Sequence, residues 1–452
     1  MTGLPPDTQV LNARARSRVR ELYISVRAKF AFSMAASLVW GAISCLLAAR
    51  WIEDLTALAG HINALLIVGG IAIVPGFMNA FLVVSLLLDR RPTAAPVARY
   101  PGITILIAAY NEEDSILSTL QSIERQHYPG PLQAIVINDG SRDATATLLA
   151  GVSRPWLTVL NLARNAGKAN ALNRGFELAH HELVITLDGD SYLYRDALRN
   201  IVARFLCDPP DTAAVAGAML VRNSRLNLVT KIQEWDYFHG IAAIKRIQSL
   251  YHGTLVAQGA FSLYRRDVLA QVGGWPECVG EDIVLTWAIL RAGYRVGYCE
   301  CACSFTNVPT HWRQFIRQRQ RWSRGLIEAF KLHWPLLFKA RMSTLFVWWN
   351  LLFPYLDIAF TVCFLPGLLL ALFGIYVIAG PMTVLVLPLA MLVNYLMFVI
   401  QSRMFAAQGL EVRRNPLGFA VYALFYSVIL QPACLLGYLT ELVKQPKTWG
   451  TK

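Results

Sequence analysis

Two unbroken apolar runs near the start of the chain, residues 30–51 and 61–88, are each long enough to cross a bilayer. Three more apolar stretches, 344–379, 381–400 and 416–443, close the chain. Lipid cannot satisfy backbone polar groups, so such runs are predicted to be helices. Between them lies a stretch of ordinary composition, large enough for its own core. The organisation is therefore 1–91, a basic N-terminus with two transmembrane helices; 92–340, a separate domain with interfacial helices; and 341–452, a C-terminal transmembrane region. The chain is 452 residues long, 55% hydrophobic and 16% charged, too apolar for an ordinary soluble protein.

Orientation follows from charge. A signal peptide is a poor reading of the first run, because a second span follows closely and no small-residue cleavage site is evident. Arg14, Arg16, Arg18, Arg20, Arg27 and Lys29 outnumber Asp7 and Glu21 before the first span, which places the N-terminus in the cytoplasm. Two crossings return the chain there at Asp89, Arg90 and Arg91, so the central domain is expected to be cytoplasmic. The stretch 344–379 is overlong and contains Pro354 and Pro366; it reads as an interfacial helix plus a span, or as a tight pair of crossings. Five spans would leave the C-terminus outside, against the lean of Lys444, Lys447 and Lys452. The net charge of +13 suits contact with acidic membrane lipid, and no nucleic-acid partner is expected. The eight cysteines form no disulfide framework. Cys299, Cys301 and Cys303 alternate, which would set all three on one side of a strand, without the spacing or fourth ligand of a zinc site.

The central domain alternates strand and helix signals. ITILIAAY, AIVINDGS, LTVLNL and LVITLDGD are β-rich runs, each but the last followed by a helical pattern, which predicts a parallel sheet covered on both faces. Ligands bind such sheets beyond the carboxyl ends of the strands. The residues at those ends are Tyr110, Asn111 and Glu112; Asn138 and Asp139; Asn165 to Lys168; and Asp188 to Asp190. NAGK is not a P-loop, since position 162 is leucine, and no G-x-G-x-x-G follows the first strand. DGD at 188–190 is either an Asp-Gly turn or a pair of oxygen ligands for Mg2+ or Mn2+ able to bridge a diphosphate.

Further along, Glu281 and Asp282 open an apparent helix, as dipole compensation or as a general base in a cleft beside Trp275. Residues 226–250 read as an amphipathic helix at the membrane surface. In QRQRW, Gln318, Arg321 and Trp322 are spaced i, i+3, i+4 on one helical face, with Arg319 and Gln320 directed elsewhere. The face is either a basic lipid-facing surface, or a phosphate-binding fork beside a plate for a sugar ring.

AAYNEE, VINDGS, NAGKANALN, LDGD, GED and QRQRW, in this order and between terminal spans, resemble the membrane-integrated processive family 2 glycosyltransferases. Length and membrane layout are most similar to the bacterial poly-β-1,6-N-acetylglucosamine synthases. The resemblance implies an α/β GT-A (Rossmann-like) domain inserted between N- and C-terminal transmembrane helices. It implies that Tyr110, Glu112, Asp139, Lys168 and Asp188 bind the donor, that Asp188 and Asp190 hold Mg2+ or Mn2+, and that Asp282 is the base with Glu281 beside it. Gln318, Arg321 and Trp322 would meet the diphosphate and the acceptor. The implied function is an inner-membrane polymerase that uses a UDP-sugar, above all UDP-N-acetylglucosamine, and a growing polysaccharide acceptor to make and help export a biofilm-type exopolysaccharide. GED in place of TED and NDGS in place of DDGS leave open another β-glycan synthase, or a non-processive transfer to a lipid phosphate. A small membrane partner subunit is expected, because about five spans are few to enclose a sugar path and Asp357 needs a polar neighbour.

Overall fold

The computed structural model describes residues 24–90, 97–406, 409–412 and 414–444. Asp7, Arg14, Arg16, Arg18, Arg20, Glu21, Arg91, Lys447 and Lys452, used above to orient the chain, lie outside the described residues.

Strands β1 (Ile103–Ala109), β2 (Leu132–Asn138), β3 (Leu157–Asn161) and β4 (Leu183–Asp188) pair in parallel in the order β3-β2-β1-β4. β1 is buried at every position because helices cover both faces. Ile103, Ile105 and Ile107 pack with Ile116, Leu120 and Ile201, while Leu106 and Ala108 belong to the layer of Ala171 and Leu172.

The four strands read from the sequence are thus parallel, and the sheet continues beyond them as a mixed one. β7 (Phe261–Arg265) runs antiparallel to β4 and to β6 (Thr212–Val221). β8 (Arg295–Thr306) is parallel to β6, and the short β5 (Tyr192–Leu193) is antiparallel to β8. The reason lies in the connection: the helical run 228–250 leaves β6 and returns the chain to the same sheet edge, and a chain that has not crossed the sheet must run back antiparallel. A bulge also breaks the cysteine alternation. Pairing jumps from Gly217 with Cys299 to Ala218 with Cys303, which leaves Cys301 exposed between two buried thiols.

Among the described residues, five helices are long and apolar enough to cross a membrane: Val26–Leu47, His61–Leu88, Thr344–Ala371, Thr383–Arg403 and Pro416–Leu442. Thr344–Ala371 is one continuous helix with a π turn at Ala359–Phe364 between Pro354 and Pro366, rather than two helices joined by a turn. Asp357 finds its polar neighbour inside the chain, where the Tyr438 hydroxyl donates to Oδ2 at 2.9 Å. Asp357 therefore needs no partner subunit to supply one.

The run read as a helix over 226–250 is built from the helix Leu228–Trp235, the π turn Asp236–Ala243 and the helix Ile244–Leu250. It is wedged between the sheet and the apolar helices, against Pro416–Leu442, Pro381–Ala406 and Val74–Leu88. Its polar side is buried because partners meet it there: Arg246 pairs with Asp89, and Asp236 with Arg319. Just beyond it, the Tyr251 hydroxyl joins Ser33 and Ser85 at 3.3 and 3.0 Å, tying the domain to the first two apolar helices.

Candidate active site

Because β1, β2 and β4 are parallel and in register, their carboxyl ends emerge along one edge. The loops there are stitched to each other. Asn111 sits in the left-handed region at φ 56°, which asparagine tolerates. Its backbone N–H donates to Ser141 Oγ at 3.0 Å, and its Oδ1 accepts from the Arg142 N–H at 2.9 Å. Glu112 N–H donates to Thr145 Oγ1 at 2.8 Å, and the Glu112 carboxylate accepts from Ser115 Oγ at 2.7 Å. Tyr110 and Glu112 are half-buried at this rim.

Asp139 is fully buried, and both its oxygens accept backbone N–H groups, from Ala166 and Gly167, each at 2.9 Å. It reaches the site through the NAGK turn that it fixes. Gly140 is required beside it: φ is +65°, and a Cβ would meet the Arg164 carbonyl carbon at 2.6 Å. The turn delivers Lys168 to the centre of the edge. Its ammonium donates to Asp188 Oδ1 at 2.5 Å and lies 3.6 Å from Glu281 Oε1. Burial works against the charge, but Asp188 and Glu281 outweigh it and hold Lys168 above the usual lysine range. Asp190, next to Asp188 across Gly189, accepts from Thr306 Oγ1 at 3.3 Å.

Glu281 and Asp282 begin the helix Glu281–Arg291. Asp282 Oδ1 accepts from the Ile283 N–H at 2.8 Å, which fixes the carboxylate plane. Burial pushes the Glu281 carboxyl up to about 7, with Lys168 pulling it back. A carboxyl near 4.5 when unfolded and about 7 when folded favours folding fully below about 4.5, and loses that contribution as pH rises through about 7. The melting temperature of the wild type is therefore expected to fall more steeply than that of Glu281→Gln between about pH 5 and 8. Scanning fluorimetry of both in one detergent measures it, and parallel curves would contradict the assignment.

The QRQRW helix, Trp312–His333, locks the loop before Asp282. Glu328 Oε2 accepts the N–H groups of Val279 and Gly280 at 2.8 and 3.0 Å. Gly280 and Gly325 face one another so closely that a Cβ on Gly280 would meet the Gly325 Cα at 2.5 Å. Both positions need glycine for that approach, which no local pattern announces. Within QRQRW, Trp322 is exposed, Arg321 is half-buried and Gln318 is buried with Oε1 unpartnered among the described residues. Arg321 lies near enough to Glu281 to favour its charge. Arg319 is 3% exposed and pairs with Asp236 at 2.9 Å, so the face it takes is a covered one. Helical spacing gave the grouping of Gln318, Arg321 and Trp322 but could not say which face a second helix covers.

Lys245 and Gln258 escaped the sequence reading. Lys245 is buried and donates to Gln258 Oε1; burial pushes its amine down to about 7, and Asp282 pulls against that shift. Gln258 Nε2 in turn donates to the Gly217 carbonyl at 2.6 Å. A lysine within a helix that reads as amphipathic carries no sign that it will be buried.

The sheet edge, with acidic pairs on adjacent strand and helix ends and a half-buried lysine between them, has its counterpart in known proteins. The model of the "Glycosyltransferase like family 2" domain matches residues 101–325. The chain carries a family 2 glycosyltransferase domain. A poly-beta-1,6-N-acetyl-D-glucosamine synthase of Staphylococcus aureus is 35% identical to this chain over 240 residues, 53% of this chain and 57% of that protein. The Staphylococcus epidermidis protein of the same name is 34% identical over 245 residues, 54% and 59% of the two chains. The chain thus spans somewhat over half the length of these curated relatives. A mannosyltransferase from Pyrobaculum calidifontis, solved with GDP-Man and Mn2+, superimposes with a TM-score of 0.53 at 19% identity, over 93% of this chain and 100% of that one. The family 2 domain has the GT-A fold, flanked by the five apolar helices.

Proposed function

We propose that the chain is a processive inverting glycosyltransferase of a membrane, which polymerises UDP-N-acetylglucosamine into a β-linked glycan. The observation that carries this reading is the gathering of Lys168, Asp188, Glu281 and Asp282 at one sheet edge, with the QRQRW helix bolted to the loop before Asp282 through Glu328. A transferase must hold a donor diphosphate, a base and an acceptor in contact with one another, and these elements would supply a group for each. The identity of the domain to poly-β-1,6-N-acetylglucosamine synthases supports the choice of sugar.

Tyr110, Glu112 and the turn held by Asp139 would receive the nucleoside. The donor set around Asp188 and Asp190 is hard oxygen, completed by Thr306, and suits Mg2+ or Mn2+. Among the described residues no third acidic, histidine or cysteine side chain joins them, so diphosphate oxygens and water would fill the remaining positions. Bound there, the cation would neutralise diphosphate charge. Lys168 would stand beside the same phosphates, with Glu281 orienting it. Asp282 takes the proton of the acceptor hydroxyl as that oxygen attacks the anomeric carbon from the face opposite UDP. The bond from the anomeric carbon to the diphosphate breaks, and UDP leaves with the electron pair, met by Arg321. A single displacement turns an α-linked donor into a β-glycoside. Trp322 offers the flat apolar surface on which the acceptor sugar rests.

Purified chain in lipid vesicles is incubated with a panel of radiolabelled UDP-sugars, and the product is digested with linkage-specific hydrolases. Incorporation of N-acetylglucosamine into a β-linked polymer is the expected result. Polymer from UDP-glucose alone would reject the sugar, and single-sugar products on lipid would reject processivity.

A further inference from the structure

Arg319 and Asp236 have no part in the chemistry above, yet the fold buries both. Arg319 is clamped between two rings of its own helix, its guanidinium carbon 4.8 Å from the Phe315 centroid and 4.1 Å from that of Trp322. Its Nη2 lies 2.9 Å from Asp236 Oδ2, and its Nε has no hydrogen-bond partner among the described residues. Asp236 is the first residue of the π turn Asp236–Ala243, a wide turn of a kind that recurs at functional sites. Gly240 clears room for the carboxylate, since a Cβ there would meet Asp236 Oδ1 at 2.8 Å. His239, one turn on, lies flat against Trp235 with ring centroids 5.2 Å apart. Burial pushes it down to about 4, so it stays neutral and does not compete for Asp236.

A buried ion pair is a poor device for stability, because desolvation offsets most of its attraction. This one does something else: it holds a flat cation beneath the exposed indole. Guanidinium stacks on aromatic faces where an ammonium does not. We infer that the Asp236–Arg319 pair is a positioning unit that sets the height and tilt of the Trp322 ring, and thereby the affinity of the site for the terminal sugar of the acceptor glycan. The inference rests on the reading of Trp322 as the acceptor platform. Asp236 and Arg319 touch no reacting atom in it.

The test uses the full chain in detergent, a short β-linked N-acetylglucosamine oligosaccharide as acceptor, and four readouts: melting temperature, UDP affinity by calorimetry, acceptor KM and kcat. Asp236→Asn combined with Arg319→Met removes both charges together and leaves no lone buried ion, so the fold is expected to persist. Acceptor KM should rise about tenfold, with UDP affinity and kcat at saturating acceptor within about twofold of wild type. Adding Trp322→Ala should raise KM no further than Trp322→Ala alone, because the pair acts through that ring. Acceptor KM unchanged in the folded double variant, while Trp322→Ala raises it, overturns the positioning role and leaves the acceptor platform standing. KM unchanged in Trp322→Ala itself removes the platform, and the positioning role with it. Should the double variant not fold, Arg319→Lys decides: it keeps the charge opposite Asp236 but not the flat face, so a KM rise of about threefold supports the inference and none refutes it.

Discussion

Replacing Asp282 by asparagine is expected to cut turnover about a thousandfold while leaving UDP affinity within about twofold of wild type. Asparagine keeps the size of the side chain and the acceptor that receives the Ile283 N–H at 2.8 Å, so the helix start Glu281–Arg291 is preserved. What is lost is the capacity to take a proton. Asp282 makes no hydrogen bond to Lys168, whereas Asp188 does at 2.5 Å, so the donor side should be little disturbed. UDP release from saturating UDP-N-acetylglucosamine and calorimetric UDP binding, measured on the same preparation, separate the two effects. Turnover near that of the wild type would show that the base lies elsewhere.

Lys168→Met is expected to damage both binding and stability. It leaves Asp188 and Glu281 facing each other across the space of a lost cation at a half-buried edge. Breaking a buried pair by removing one partner costs about 3 kcal/mol. UDP binding should weaken by about a hundredfold if the ammonium also meets the diphosphate, a loss on the scale measured for truncated charge pairs. Adding Glu281→Gln should change the melting temperature little, because Glu281 without Lys168 is already protonated near neutral pH, and should not restore UDP binding. Recovery of both would mean that Lys168 serves the fold alone.

The candidate site was readable in the sequence where local chemistry and strand ends coincide. Asn138 and Asp139, Lys168, and Asp188 to Asp190 each follow a β-rich run, and parallel pairing of β1, β2 and β4 carries them to one edge. The GED pair was readable because acids at a helix start are visible in any sequence. QRQRW is legible as a helix, with Arg319 on a different face from Gln318 and Arg321, but what that face meets is not legible. Its environment depends on Asp236, which is 83 residues earlier and reaches it from a π turn that no heptad or helical period foretells. Lys245 escaped for the same reason. An amphipathic pattern says that one face of a helix will be covered, and the run 228–250 is covered on both.

The sequence by itself determined what depends on composition and period: five helices apolar enough to cross a bilayer, an α/β domain between them, and the polar residues that end its strands. Backbone hydrogen bonding in lipid and the two-residue repeat of a strand are local constraints, written within about 20 residues. Tertiary structure decided the rest. It turned β7 against β4, supplied Tyr438 to Asp357, set Gly280 against Gly325, and paired Asp236 with Arg319. Each of these joins segments far apart in the chain, and which faces meet is settled by packing and by the pairing of buried charge, neither of which a local pattern records.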